Sequence, residues 1–368
     1  ETREGAFEVK LAGSAGYLIE VRAKGYAPAR SASVTGNTNL TFALRRGGML
    51  SGVILLPDGS PAAGAEVALC TEMKGVTLGP RRIIFPDQSI IVRTDASGRF
   101  VHRKEVDAHR IYAVHEQGIA EAPTENWEEG TPMRLRPWGR IEGVMTLGGK
   151  IAGNERLMLS VPMRSGLHQG LNVYGFYAAT DASGRFVFDD VPPGEVHVAW
   201  LRPRGQGGAT SHPMSFPVEP GGITEVNYAI GGITVKGKFV WRGEGEVDWI
   251  RQTRLGLTVK LANPWESDPA YQAADPRTRE RMVQEFKESE AGRAHFRQQR
   301  HLALFANSDG SFEVPFVTPG DYHLNASISE KNERGFPGRI IAHLRQEISV
   351  PEGGAEFDLG EIAIAPAR

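Results

Sequence analysis

The stretch Thr94-Asp95-Ala96-Ser97-Gly98-Arg99-Phe100 occurs twice, returning as Thr180-Asp181-Ala182-Ser183-Gly184-Arg185-Phe186. A shorter copy, Asn307-Ser308-Asp309-Gly310-Ser311-Phe312, lies further along the chain. Asp or Asn turns a chain by accepting hydrogen bonds from nearby backbone amides, and Gly supplies the positive φ that a tight loop needs. Each copy therefore predicts a β-hairpin whose Phe starts the next strand pointing inward.

Other motifs keep a fixed order around each hairpin. A strand with a central glycine opens each segment, at Gly52, Gly143 and Gly237. These glycines are 91 and 94 residues apart (143 − 52 and 237 − 143). Motifs in one order at nearly constant spacing predict tandem copies of one all-β domain, each about the size of an immunoglobulin-like sandwich.

We predict four segments, which are named here in chain order: the first repeat, residues 1–46, which is the C-terminal half of a sandwich; the second repeat, 47–137; the third repeat, 138–230; and the fourth repeat, 231–368. In the first repeat, alternation at Tyr17–Ala23 and at Leu40–Leu44 predicts two strands, the later one closing the repeat. Short connections, such as Pro137-Trp138-Gly139 and Gly231-Gly232, leave little slack between neighbours.

The fourth repeat is longer than the others between its opening glycine and its hairpin. Gly237 to Gly310 spans 73 residues, against 46 and 41 in the second and third repeats (98 − 52 and 184 − 143). The excess lies at about residues 263–300. There Asp275-Pro276 predicts a helix start, because a capping carboxylate precedes a proline at the first helical position.

We therefore predict one helical insertion in the fourth repeat. Met282 and Phe286 share a face of that helix and are expected to pack on the sheet or on a neighbouring repeat. Arg293, Arg297 and Arg300 crowd its end, as the helix dipole favours. The insertion is expected to cover a sheet edge or stiffen a domain junction, with a binding lid or a partner-docking helix as the alternative.

Composition excludes several classes of protein. With 40% hydrophobic and 23% charged residues, the 368-residue chain is globular, and a net charge of −2 gives no electrostatic case for nucleic acid or an anionic membrane. The single Cys70 excludes internal disulfides and multi-cysteine metal sites, and its apolar run predicts a buried, inert thiol.

No apolar run has the ~18 residues of a membrane span, and no signal peptide is visible. Because Glu1 lies in mid-pattern, we expect a fragment that lacks an upstream signal or anchor.

The motif order resembles a known family. A strand with Gly-Val is followed by Asp-Gly-x-Pro, Gly-Ala-x-Val, Thr-Asp-x-x-Gly-x-Phe and Val-Pro-Pro-Gly, which is similar to the carboxypeptidase regulatory-like domain. The second repeat matches Asp58-Gly59-Ser60-Pro61 and Gly64-Ala65-Glu66-Val67 in full, whereas the third lacks the Pro and the fourth lacks the Gly-Ala-x-Val. The resemblance implies a seven-stranded transthyretin-like (prealbumin-like) sandwich, related in shape to collagen-adhesin B-type repeats. It implies no catalytic residue, because the shared motifs are turn and core residues.

Motifs that carry chemistry are few. His115-Glu116-Gln117-Gly118-Ile119 begins like a zinc-protease helix but lacks the second His, and Gly118 argues against a helix. Gly205-Gln206-Gly207-Gly208 is read as a loop, because no helix opens after it to receive a phosphate. The hairpin carboxylates are predicted to cap turns, since one Asp per hairpin is too few for calcium. We predict no catalytic residue, no metal and no cofactor.

Aromatic residues are the remaining lead for binding. Trp138, Trp241, Trp249 and Trp265 lie near repeat openings, loops or the insertion. Exposed aromatic rings stack on sugar faces, so these four are the candidate ligand-binding residues. Packing in the core or at a domain junction is the competing interpretation for each of them.

Three functions remain open. The first is a non-catalytic structural or interaction module of a bacterial envelope protein or a secreted multidomain protein. The second is a carbohydrate- or peptide-binding protein that uses an inter-domain groove near the helix. The third is a set of domains accessory to an enzyme outside this sequence. We expect a periplasmic, cell-surface or secreted location and a protein or glycan partner, with the oligomeric state left open.

Overall fold

The computed structural model describes residues 6–10, 16–23, 26, 29–31, 33–44, 47–71, 75–84, 91–104, 108–125, 127–161, 170–204, 207–265, 267–331 and 337–366. The fold is all-β with a small helical part, as predicted. The chain divides into two compact units, one formed by 1–77, 81–136 and 167–170, the other by 78–80, 137–166 and 171–368. The exact boundaries of the four predicted repeats stay a prediction.

The first repeat contains little regular structure. Strands β1 (Glu20–Val21) and β2 (Ala29–Arg30) pair antiparallel, and Tyr17 bridges Val34. The prediction of a closing strand at Leu40–Leu44 is wrong, because residues 38–44 form no strand. In the later repeats a closing strand pairs with an opening strand, and the described part of 6–44 holds no opening strand.

Seven strands of the second repeat form two sheets. Its strands are β3 (Met49–Leu55), β4 (Glu66–Thr71), β5 (Val76–Gly79), β6 (Arg82–Ile84), β7 (Ile91–Arg93), β8 (Arg99–Arg103), β9 (Ala108–His115), β10 (Gly118–Pro123) and β11 (Thr131–Arg134). One sheet has the order β10-β9-β4-β7 and the other β11-β3-β8. The core between them includes Ile54, Leu69, Phe100 and Ile111, and the thiol of Cys70 is fully buried, as expected.

The third repeat follows the same plan. Its strands are β12 (Gly139–Leu147), β13 (Lys150–Ile151), β14 (Arg156–Ser160), β15 (Leu171–Val173), β16 (Tyr177–Ala179), β17 (Arg185–Val191), β18 (Gly194–Arg204), β19 (Gly207–Val218) and β20 (Ile223–Ile230). In one sheet β12 pairs with β13, β17 and β20, and the other has the order β16-β14-β18-β19. The prediction of a loop at Gly205–Gly208 is partly wrong: Gly207 and Gly208 begin β19, and Gly205 and Gln206 lie outside the described residues.

The fourth repeat adds helices to this plan. Its elements are β21 (Ile233–Trp241), β22 (Thr253–Val259), α1 (Pro269–Ala273), α2 (Pro276–Glu288), α3 (Glu290–Phe296), β23 (His301–Ala303), β24 (Ser311–Val317), β25 (Gly320–Lys331), β26 (Pro337–Val350) and β27 (Glu356–Ile364). The sheets have the orders β24-β21-β27 and β23-β22-β25-β26.

The strand pairings confirm that these are tandem copies of one β domain. The opening strands β3, β12 and β21 pair antiparallel with the strand after each predicted hairpin, which is β8, β17 and β24. They also pair in parallel with the closing strands β11, β20 and β27. A parallel pair of first and last strands, found three times, sets each repeat apart from a simple meander.

The three predicted turns share one geometry, but the prediction of a β-hairpin at each is wrong. The strands before and after each turn (β7 and β8, β16 and β17, β23 and β24) pair in different sheets, so each turn leads from one sheet of its repeat to the other. Gly98, Gly184 and Gly310 have φ values of 72°, 75° and 85°. Each donates its N–H to the carbonyl of the first turn residue, which is Asp95, Asp181 or Asn307. In the first two copies the Asp side chain also accepts the amide hydrogens two and four residues on, at 2.8 and 2.9 Å. The carboxylates therefore act in turns, as predicted.

The insertion differs from the prediction in its packing. Asp275 caps α2 as predicted, since its Oδ1 accepts from the Thr278 amide at 3.2 Å. However, the insertion holds three short helices, and Phe286 contacts Trp265 and His295 within the insertion. The side chain of Arg293 lies outside the described set, and Arg297 reaches Glu195 of the third repeat.

Candidate functional site

Of the four candidate tryptophans, Trp249 is the most deeply buried. It is 6% exposed in the core of the fourth repeat and stacks on Phe239, with ring centres 5.8 Å apart and planes at 20°. Its Nε1 lies 3.2 Å from the place where a Cβ on Gly310 would stand. The Trp249 ring therefore covers the turn of its own repeat, and its face is not open to a sugar.

Trp241 and Trp138 lie at strand ends. Trp241 ends β21, packs against the core of the fourth repeat, and donates its Nε1 hydrogen to the Glu244 carbonyl at 3.1 Å. Gly243 allows that ring to lie against the backbone, because a Cβ there would collide with it. Trp138 is half-buried directly before β12. Both placements are those of the competing packing interpretation.

Trp265 belongs to an aromatic cluster of the insertion. Its ring stacks on Tyr271 at 5.5 Å and 28°, and meets Phe286 edge-on at 5.2 Å. The Phe286 ring in turn lies 5.9 Å from that of His295. Trp265 is half-buried. Among the four tryptophans it combines partial exposure with an aromatic neighbour, and a ligand role for the set stays a prediction.

The main polar cluster lies where the third repeat meets the fourth. Ser211 and His212 of β19 contact both sheets of the fourth repeat. Ser211 Oγ accepts the Ala303 amide hydrogen at 3.0 Å, and His212 Nε2 lies 3.1 Å from the Phe316 carbonyl oxygen. Ala303 belongs to β23 and Phe316 to β24. One dipeptide therefore holds the third repeat to both layers of the fourth.

The cluster fixes the tautomer of His212. Because a carbonyl only accepts, Nε2 carries the hydrogen that points at Phe316. Nδ1 then accepts from Ser211 Oγ at 2.8 Å. Burial is the main cause that lowers the pKa of His212 to about 4, and the positive charges of Arg202 and Arg300 lower it further. His212 is therefore neutral near pH 7.

A bulge in the β18–β19 pair presents His212 to the junction. The register shifts between Val198 and Trp200, and His212 has a φ of 54°. The Tyr228 hydroxyl fills the gap: it accepts from the Trp200 amide at 2.8 Å and donates to the His212 carbonyl at 2.7 Å. Burial raises the pKa of Tyr228, so it stays a neutral donor.

Arg202 is a half-buried polar group of this junction. Its Nη1 donates to the Ala303 carbonyl at 2.6 Å. The guanidinium lies 5.6 Å from the Trp200 ring centre and 5.1 Å from that of Phe305. Stacking of this kind suits Arg, whose flat, weakly hydrated charge tolerates apolar surroundings. At the surface, Arg297 Nη2 pairs with Glu195 Oε2 at 2.9 Å.

Beside the cluster lies a cleft with about 320 Å³ of empty space, open to solvent. It is lined by residues of both repeats, including His212, Ala229, Arg300, Phe316 and Tyr322. A serine beside a histidine resembles a nucleophile and its base. Here, however, Ser211 is fully buried, its oxygen already accepts a backbone amide hydrogen, and the far side of His212 meets a carbonyl where a triad has a carboxylate.

The zinc-like motif is a hairpin. His115 ends β9 and Gly118 begins β10, so the motif lies on two strands and not on one helix. Within the described part of the chain, no three His, Cys, Asp or Glu side chains come together as a metal site would need. Nor does that part contain a helix with the length and apolarity to cross a bilayer.

Sequence reasoning missed the junction. Ser211-His212-Pro213 reads as the end of a glycine-rich loop, and no local pattern marks Arg202 as a residue of the junction. The aromatic residues Trp200 and Phe316 also lie at the junction, beside these polar residues, with ring centres 6.3 Å apart. That pairing depends on contacts between residues more than 100 positions apart, which periodicity does not reveal.

No family model matches the chain, and no curated protein matches it. Among solved structures, it is similar to the TIE protein of Bacillus anthracis, with 12% identity over 92% of this chain and 54% of that one, at a TM-score of 0.22. The chain thus spans about half the length of the TIE protein. GBS52, the minor pilin of Streptococcus agalactiae, shares 12% identity over 49% of this chain and 94% of that one, at a TM-score of 0.27.

BcpA, the major pilin subunit of Bacillus cereus, shares 9% identity over 88% of this chain and 100% of its own, at a TM-score of 0.20. At these identities and scores, none of the three similarities assigns a role to a residue of this chain. The functional interpretation therefore rests on the chain's own contacts.

Proposed function

We propose that this chain is a non-catalytic structural module of a bacterial envelope or secreted protein. In it, sandwich repeats similar to carboxypeptidase regulatory-like domains space or present another part of the protein. The observation that carries the proposal is the junction between the third and fourth repeats. Its buried Ser211 and His212 and its half-buried Arg202 are all engaged in holding one repeat to the next.

The use of the polar groups supports a mechanical role over a chemical one. A catalytic site keeps its titratable groups accessible to substrate. At this junction the histidine is 6% exposed and the serine fully buried. A spacer needs the opposite arrangement, in which neighbouring domains are fixed by satisfied hydrogen bonds and water is excluded.

The rigidity of this pair of repeats is measurable in the intact chain by residual dipolar couplings. We expect the third and fourth repeats to share one alignment tensor. The Arg202→Ala variant should give two different tensors, because it removes the hydrogen bond to Ala303 and the stacked guanidinium. Arg156→Ala, which removes a guanidinium 5.9 Å from the Tyr177 ring centre elsewhere in the third repeat, serves as control. Different alignment tensors for the third and fourth repeats of the wild type would contradict the proposal.

Two further expectations belong to this proposal. The purified chain is expected to show no turnover, and reproducible hydrolysis without a second protein would contradict it. The full-length protein is expected in the periplasm, at the cell surface or in the medium. Fractionation and protease shaving of intact cells check this, and retention in the cytosol would count against it.

Glycan or peptide binding is the second candidate, and the half-buried Trp265 beside Tyr271 favours it. If the insertion binds a sugar face, Trp265→Ala should lose the signal on a glycan array while Trp241→Ala keeps it. Absence of any glycan or peptide signal for the wild type argues against this function. The third candidate, accessory domains of an enzyme, is decided by reading the full-length gene for a catalytic domain.

A further inference from the structure

Strand β26 is the longest strand of the chain and lies at the edge of its sheet. It pairs with β25 on one side, and its other side pairs with no strand in the described part of the chain. Ile340, His343, Arg345 and Glu347 are exposed along it. A long edge strand of this kind is a template for another strand unless something blocks it.

The register shows which backbone groups point away from β25. Asp321 accepts from the Lys260 amide and Ser329 donates to Gln252, so the odd-numbered residues of β25 bond towards β22. Backbone groups alternate in direction along a strand. The even-numbered residues of β25 therefore bond β26, through pairs such as Leu324 with Gln346. On β26, the amides and carbonyls of His343, Arg345, Glu347 and Ser349 are left pointing at the open edge.

The equivalent edge of the third repeat is blocked. Strand β19 holds the same place beside β18 as β26 holds beside β25. Gly194 and Gly320 are the glycines of the equivalent Pro-Gly turns, and they pair with Val218 and Val350. Residues of β19 and β26 are therefore equivalent when they lie the same number of positions before Val218 and Val350. By that count Pro213 and Pro217 stand where β26 has Arg345 and Ser349. Proline donates no amide hydrogen, so the third repeat lacks two of the four outward donors that the fourth repeat keeps.

The edge of the third repeat is also the one that carries the next domain, through Ser211 and His212. In the described part of the chain, no strand pairs with the corresponding edge of the fourth repeat, and the outward donors of that edge are intact. The side chains of β26 indicate what it binds. Antiparallel pairing of the strand with itself about Gln346 places Arg345 of each copy opposite Glu347 of the other.

The same register matches the remaining positions. His343 faces Ser349 on the outer face, and on the core side Leu344 faces Ile348 and Ala342 faces Val350. Shifting the centre to Arg345 or to Glu347 sets like charges opposite each other, which destabilises a sheet. Centring on Leu344 sets His343 against Arg345. Among these neighbouring registers, only the one about Gln346 joins unlike charges and apolar pairs together.

We propose that β26 is a self-association strand through which two copies of this chain pair antiparallel about Gln346, joining their sheets into one. The four outward-pointing residues of each copy supply the backbone hydrogen bonds, and the Arg345–Glu347 pairs set the register. A junction of two strands buries less surface than a standard protein interface, so the dimer forms at about micromolar concentration or weaker.

Charge reversal tests the register. In sedimentation of the full chain, wild type should shift from monomer to dimer between about 1 and 300 μM, the range expected for a small interface. Arg345→Glu alone and Glu347→Arg alone should remain monomeric, because each sets like charges opposite each other. An equimolar mixture of the two should recover a heterodimer, since unlike charges then face each other at both pairs.

The control variant is Arg254→Glu. It makes the same charge change as Arg345→Glu on β22, which is separated from β26 by β25, and should leave the dimer unchanged. Glu347 also accepts from Lys260 at 2.6 Å, so the thermal unfolding of each variant is measured alongside. The proposal would be overturned if the wild type is monomeric at the highest concentration, or if Arg345→Glu and Glu347→Arg each still form the dimer.

A cysteine at the symmetry axis gives a second readout that charge does not affect. Gln346 faces itself in a pair without backbone hydrogen bonds, where opposed Cβ atoms are about 4.5–5.5 Å apart. Mild oxidation should therefore cross-link Gln346→Cys to its own copy. Leu344→Cys faces Ile348 and should not cross-link. Equal cross-linking of the two variants would contradict this register.

Discussion

At Gly98, Gly184 and Gly310 the turn backbone runs directly against the opening strand of its own repeat. A Cβ on Gly184 would lie 2.8 Å from the Met145 carbonyl oxygen, and Cβ atoms on the other two would collide with the Ile54 and Phe239 carbonyls. These glycines are fixed by two requirements at once, a positive φ and the absence of a side chain. The sequence pattern predicts the first requirement, and only the folded structure reveals the second.

Gly184→Ala and Gly149→Ala separate those two requirements. Gly149 also has a positive φ, of 78°, but no atom lies within 4 Å of the place where its Cβ would stand. We expect Gly149→Ala to cost about 1 kcal/mol, from φ alone. Gly184→Ala should cost about 3 kcal/mol, because the clash with Met145 adds to it. Urea denaturation of the intact chain, followed by hydrogen exchange at amides of the third repeat, measures the loss of unfolding free energy in each variant. Equal losses would mean that the close contact with Met145 is unimportant.

The threonine that begins the repeated motif has a buried role. Thr180 Oγ1 accepts from the Glu155 amide at 2.8 Å and donates to the Ala152 carbonyl at 2.7 Å. Thr94 does the same with Ala65 and Ala62 in the second repeat. The fourth repeat has Ala306 at this position and therefore lacks the hydroxyl.

Thr180→Val should therefore destabilise the third repeat by about 2 kcal/mol, since it leaves a buried amide and a buried carbonyl unpaired. Exchange of the Glu155 amide hydrogen should accelerate in the same variant. Thr224→Val removes a hydroxyl that bonds the Pro217 carbonyl at the surface, and should cost less than about 0.5 kcal/mol. A neutral Thr180→Val would show that the buried pair contributes nothing.

Among the elements, the insertion shows best what a local pattern predicts. Asp275-Pro276 begins α2 where the capping rule puts it. The rule acts through neighbours in sequence, so it can be applied to the sequence alone. The packing of Met282 and Phe286 is harder to predict, because the helix by itself does not identify its partner surface. In the structure Phe286 packs on Trp265, which precedes the helices.

Asp275→Ala should weaken the first turn of α2 by about 1 kcal/mol, because the Thr278 amide loses its acceptor. Amide exchange at Thr278 and Arg279 measures the effect. Glu280→Ala, in the same helix but exposed and away from the cap, is the matched control and should change exchange little. Unchanged protection at Thr278 would count against a capping role.

For the whole molecule, the distinction is between what each repeat encodes by itself and what only a pair of repeats creates. The opening glycines, the turns and the closing strands of the second to fourth repeats are readable because each signal lies within a few residues. The junction at Arg202, Ser211 and His212 is not, because its partners, Ala303 and Phe316, belong to another domain. The sequence suggested that Trp249 could bind a ligand, because its stacking partner Phe239 lies ten residues away and the contact is not visible in the local pattern.

The junction also predicts how stability depends on pH. The native pKa of His212 is about 4, below the 6.5 of an unfolded chain, so the unfolded state takes up a proton first as the pH falls. The contribution of the neutral histidine is present in full above pH 6.5 and is lost between 6.5 and about 4. The loss comes to about 3 kcal/mol.

His212→Gln removes the titration while keeping a donor for Phe316 and an acceptor for Ser211. The difference in unfolding free energy between wild type and variant should therefore shrink by about 3 kcal/mol from pH 7 to pH 4. Carboxylates titrate alike in both proteins and cancel. Parallel pH curves would show that His212 does not stay neutral in the junction.

The parallel pairing of first and last strands in each later repeat determines how the repeat bears tension. Because the two strands run the same way, the entry of the chain and its exit lie at opposite ends of that pair. Pulling on the chain then loads the whole row of hydrogen bonds in shear, so that they must fail together, whereas a hairpin pulled at its open end unzips one bond at a time. Each of these sandwiches should therefore resist a force that pulls its two chain ends apart.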